Sequence, residues 1–133
     1  DPLTWQAISD LESIKDTADR GLLRLGGPVS IQNAVYQAVL EAAGRTARVW
    51  GYADSGLVFA SLESAAIAPV RTSLLERFGS EGLSVIVDAA VPELKAGIDV
   101  WNGGGEGIEI MREIKRRFDP NSTLSPGRFV GGL

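Results

Sequence analysis

With 133 residues, 44 % of them hydrophobic and 23 % charged, the chain has the composition of a soluble globular protein, long enough to bury a core but short for two ordinary domains. A formal charge of −4 with no basic arm argues against a nucleic-acid partner. Cysteine and histidine are both absent, which rules out disulfides, thiolate chemistry, imidazole-based triads and histidine-ligated metal sites.

Asp1-Pro2-Leu3 shows neither an initiator methionine nor the charged and apolar regions of a signal peptide. No apolar run approaches the roughly 20 residues of a membrane span. The sequence therefore reads as a soluble, cytoplasmic piece of a longer polypeptide. Residues 1–20 are polar, with a weak helical pattern in Trp5, Ile8, Leu11 and Ile14, and read as a connector from a preceding domain.

Gly21 to Leu25, stopped by Gly26-Gly27-Pro28, predicts a first strand. Ile31, Ala34, Val35, Ala38, Val39 and Ala42 then recur at helical spacing, with Ser30 expected as the N-cap and Gly44 as the stop. Ala47 to Ala53 and Leu57 to Leu62 flank Asp54-Ser55-Gly56, a hairpin signal. A second helix is expected to begin at Pro69, to bury Leu74, Leu75 and Phe78, and to close at Gly79. Leu83 to Ala90 contains Val85, Ile86 and Val87 and predicts a buried strand. Residues 91–107 read as loop. A closing helix over Ile108 to Phe118 is expected to pack through Ile110, Met111, Ile114 and Phe118 and to stop at Asp119-Pro120.

This order predicts an α+β fold, the ferredoxin-like βαββαβ antiparallel sheet with helices on one face and a C-terminal helix. Within it, Gly103-Gly104-Gly105-Glu106-Gly107 lacks a P-loop ending and reads as a connector rather than an anion site. Arg112, Lys115, Arg116 and Arg117 lie three or four residues from Glu109 and Glu113, so intrahelical ion pairs account for them better than nucleic-acid binding does. Trp50, Tyr52 and Phe59 fall on paired strands, with Trp50 and Tyr52 on one side. Such aromatics usually pack a sheet face; covering a ligand is the alternative. Asp54, Glu63, Asp88 and Asp99 show no spacing that argues for acid–base catalysis, so no catalytic or metal-binding residue is expected.

The tail, Ile114-Lys115-Arg116-Arg117-Phe118-Asp119-Pro120 followed by Leu124-Ser125-Pro126-Gly127-Arg128, contains two rigid turns in succession. A closing helix that reads Ile-Lys-x-x-Phe-Asp-Pro and then Leu-x-Pro-Gly-Arg resembles the end of FAD-linked oxidases of the vanillyl-alcohol oxidase type. The smaller flavin-type subunit of glycolate oxidase ends in a similar way and is the better comparison, because members that use histidines and a metal are excluded by composition. The Val100-Trp101 step agrees more loosely.

The resemblance implies that residues 1–20 lead from an N-terminal FAD-binding domain and that residues 21–133 form the C-terminal substrate or cap domain. FAD would be bound by the intact parent, not by this chain alone. The parent would oxidise a small 2-hydroxy acid such as glycolate, and the isolated chain would be inactive. The resemblance places Ser125, Gly127 and Arg128 nearest the cofactor and Trp101 on the substrate side. Where the family commonly has asparagine this chain has Ser125, which offers one hydroxyl in place of an amide. Expected partners are the FAD-binding domain and other glycolate oxidase-type subunits, which could hold the protein at the inner membrane. The other reading, drawn from the fold alone, is a non-catalytic ferredoxin-like regulatory or assembly module.

Overall fold

The computed structural model describes residues 19–133, so the expected connector, with its pattern of Trp5, Ile8, Leu11 and Ile14, falls outside the described residues except at its last two positions. Two compact units divide the chain at Ile98/Asp99. The first carries β1 (Arg20–Gly26), α1 (Val29–Ala43), β2 (Arg48–Tyr52), β3 (Leu57–Glu63), α2 (Ser64–Phe78), β4 (Ser84–Ala89) and a short α3 (Pro92–Gly97). The strands form one antiparallel sheet in the order β2-β3-β1-β4, the ferredoxin-like arrangement.

Alternation along the strands separates the two faces of this sheet. Leu23 and Leu25 of β1, Val58, Ala60 and Leu62 of β3, and Val85 and Val87 of β4 are buried. So are Ile31, Val35 and Val39 of α1 and Ile67, Val70, Leu74 and Phe78 of α2, which complete the core between helices and sheet. Each fully buried aliphatic side chain of this kind stabilises the fold by roughly 1.5–3 kcal/mol. Gly21 lets α2 approach: a Cβ there would lie 2.8 Å from Ile67 Cδ1.

The α1 helix begins two residues earlier than its expected cap at Ser30 implies. Pro28 occupies the N-cap, its carbonyl accepting the Ile31 N–H at 3.1 Å, and Ser30 lies in the first turn. Gly44 ends the helix as expected, at φ 68°, a conformation that costs glycine little.

Pro69 is not a first helical residue. The α2 helix starts at Ser64 directly after β3, with the Ser64 N–H donating to the Asp19 carbonyl at 2.9 Å. Pro69 therefore sits inside the helix, where its missing N–H leaves the carbonyl four residues back without an intrahelical donor. The buried face consequently includes Ile67 and Val70, while Leu75 is only half-buried.

The expected loop over residues 91–107 contains α3, with Pro92 in its first turn, and a single 3-10 turn over Gly105–Gly107. Among the described residues no helix is long and apolar enough to cross a membrane.

The second unit, residues 99–133, contains α4 (Ile108–Phe118) with the expected bounds. The expected packing of its apolar stripe is corrected: Ile110, Met111, Ile114 and Phe118 are all exposed, Phe118 at 77 %. The helix is anchored by Ile108 instead. Its side chain lies against Gly104 and Gly131, where added Cβ atoms would come within 3.0 and 2.7 Å of Ile108 Cδ1, and Val130 is buried nearby, against Gly104. A periodic stripe announces a face that needs covering, but it does not say that the same unit supplies the cover.

Candidate functional site

The site is built on the sequence that ends α4. Phe118 is the last helical residue, and Pro120 prevents further propagation. Between them Asp119 turns inward and is 5 % exposed. Its carboxylate accepts the Thr123 N–H (2.8 Å), the Thr123 hydroxyl (2.9 Å), the Leu124 N–H (2.9 Å) and the Lys115 ammonium (2.6 Å). Lys115 also donates to the Leu124 carbonyl at 2.6 Å. The ammonium of Lys115, followed by the two backbone N–H groups, holds the Asp119 carboxyl well below the usual carboxylate range. One side chain thus fixes both the end of the helix and the path of the chain beyond it.

A second turn follows, with the Arg128 N–H donating to the Ser125 carbonyl at 3.2 Å. Ser125 and Gly127 both have positive φ, 45° and 71°. The left-handed region is uncomfortable for serine and several-fold richer in asparagine. Beyond the turn the Phe129 N–H returns to the Leu133 carbonyl at 3.0 Å, closing the end of the chain into a hook.

Helix and hook enclose an open groove of about 460 Å³. Met111, Ile114 and Phe118 form one wall, and Leu124, Phe129 and Leu133 the other. Ser125 and Arg128 supply polar groups to this apolar lining. The Arg128 guanidinium has no partner among the described residues. On the opposite side of α4, Arg112 pairs with Glu109 and Arg116 with Glu113, the expected solvated ion pairs.

Ser125 and Arg128 are therefore brought to one groove, and Trp101 is tied to it through Phe129, edge-to-face at 5.1 Å. Gly127 shapes the turn without lining the groove. Sequence reasoning assigned the apolar wall to a core and missed the organising part played by Lys115 and Asp119. The signal for the latter was the four-residue spacing from Lys115 to Asp119 and from Asp119 to Thr123, which puts a cation and a donor within reach of one carboxylate at a helix end. Among the described residues no group of acidic side chains could hold a metal ion. Comparison with protein-family models found no match, and comparison with curated proteins and with solved structures found none either.

Proposed function

We propose that this chain is the C-terminal domain of an FAD-dependent oxidoreductase acting on a small 2-hydroxy acid such as glycolate, with its FAD-binding domain as the partner. The observation that carries the reading is the groove: large apolar side chains lie open to solvent beside the Asp-Pro and Pro-Gly turns on which the resemblance rests. Exposed apolar surface of this kind marks a contact face.

The donors at the groove fit the rim of a flavin ring, with one hydroxyl from Ser125 and one guanidinium from Arg128 beside an apolar wall. They offer no cradle for a pyrophosphate, so that part of FAD falls to the partner domain. When bound, FAD supplies the oxidation itself by accepting two electrons from the substrate. The chain would contribute position and exclusion of water: Arg128 and Ser125 would face the cofactor, Gly127 allows the turn that presents them, and Trp101 would lie on the substrate side. Other glycolate oxidase-type subunits would join through further surfaces and could bring the assembly, otherwise cytoplasmic, to the inner membrane.

The test is to read the coding sequence upstream of the Asp1 codon and to record the absorption spectrum of the polypeptide it encodes. A further domain with glycine-rich flavin-binding turns and a flavin spectrum is the expected result. A start codon immediately before Asp1 would overturn the proposal and leave the ferredoxin-like assembly module as the account.

A further inference from the structure

A second cluster, on the first unit, has no part in the flavoenzyme reading and does not depend on it. Because α1 and α2 cover one face of the sheet, the side chains that alternate with the core point to the other. At the β2–β3 end of that face Trp50 lies directly opposite Phe59 in the ladder, and Tyr52 opposite Leu57. Trp50 and Phe59 stack at 5.6 Å with 12° between their planes, and Tyr52 meets Phe59 edge-on at 5.9 Å. These rings are not core: Trp50 and Phe59 are half-buried and Tyr52 is 48 % exposed.

The cations on this face differ in availability. Arg20 is engaged by Ser61 and the Thr46 carbonyl, and Arg24 by both oxygens of Asp88. Arg48 is exposed and has no hydrogen-bond or ion-pair partner among the described residues. It shares a strand face with Trp50, two residues and roughly 7 Å away along β2. Asp88, the carboxylate at the far, β4 edge of the sheet, is matched by Arg24. The half-buried ring pair thus lies on the same face as an exposed guanidinium with no partner among the described residues, whose planar fork suits a carboxylate or phosphate.

We propose that this end of the sheet binds a small planar aromatic ring bearing an anionic group, with Trp50 and Phe59 as the stacking wall and Arg48 as the counter-charge. Stacking on such side chains tolerates any flat π-face, so the charge supplies the selectivity. For a ligand of about a dozen heavy atoms the expected Kd is on the order of 1 mM.

The test uses the 15N-labelled chain titrated with 2-naphthoate, 2-naphthylmethanol and cyclohexanecarboxylate, read by amide chemical shifts. Naphthoate should move the amides of β2 and β3, with the alcohol weaker by about tenfold, the scale of one charged hydrogen bond, and cyclohexanecarboxylate weaker still. Arg48→Gln should lower naphthoate affinity to that of the alcohol and leave the alcohol unchanged. Trp50→Leu should weaken both, and Arg48→Gln, at an exposed position, keeps the test valid if that variant fails to fold. Equal binding of naphthoate and alcohol, indifference to Arg48→Gln, or shifts confined to the α4 groove would each overturn the proposal.

Discussion

In the first unit the alternating aliphatic side chains of β1, β3 and β4 and the stripes of α1 and α2 are buried in one layer shared by sheet and helices, whereas Met111, Ile114 and Phe118 of α4 line a groove open to water. The first unit is held by burial. The second is held by a small contact of Ile108 and Val130 against glycine backbone and by the polar network around Asp119. Identical helical periodicity thus serves two ends: α1 spends its stripe on its own sheet, and α4 leaves its stripe for something else to cover.

The contrast can be broken most forcefully in the first unit. Leu23, fully buried on a central strand, has little room to be replaced by relaxation, so Leu23→Ala should destabilise by about 2–5 kcal/mol in urea unfolding. A smaller loss would mean that the sheet–helix layer is looser than its burial implies.

An intermediate and local effect is expected at Asp119. Asp119→Ala should speed hydrogen exchange at the Thr123 and Leu124 amides and leave the urea midpoint of the sheet unit unchanged. Acid should act in the same way. The folded-state pKa of Asp119 lies below its unfolded value, so its contribution is complete above the ordinary carboxylate pKa of about 4 and fades as pH falls through the folded value. The tail amides should stay protected from pH 8 to 5 and lose protection only in strong acid. Protection lost near pH 6 would contradict the assignment.

Phe118→Ser should be the mildest of the three. With Phe118 77 % exposed, the variant's own stability should shift by no more than about 0.5 kcal/mol. A large loss would show that Phe118 belongs to a core after all.

Much of the fold was legible because the β-branched run Val85-Ile86-Val87 favours a strand and the helical repeat from Ile31 to Ala42 follows directly from helix geometry. The hairpin at Asp54-Ser55-Gly56 was legible for the same reason, since Asp54 and Gly56 both take positive φ there. The start of α2 was not, because the Ser64 N–H finds its acceptor in Asp19, a contact distant in sequence. Local preference for proline in a first turn was outweighed by the direct run from strand into helix. The candidate site was half legible. The turns announced Ser125, Gly127 and Arg128, but whether Ile114 and Phe118 face a core or a groove depends on what lies across from them. Their spacing carries no information about that.

The most direct measurement is hydroxyl-radical footprinting of Met111, Ile114, Phe118 and Phe129, made on the 133-residue chain and on the longer polypeptide that the account expects to contain it. The account predicts strong labelling in the chain alone and protection in the longer protein, with labelling of the buried Val35 and Leu74 low in both. Equal labelling of the groove residues in the two proteins would contradict the claim that this face is a contact surface.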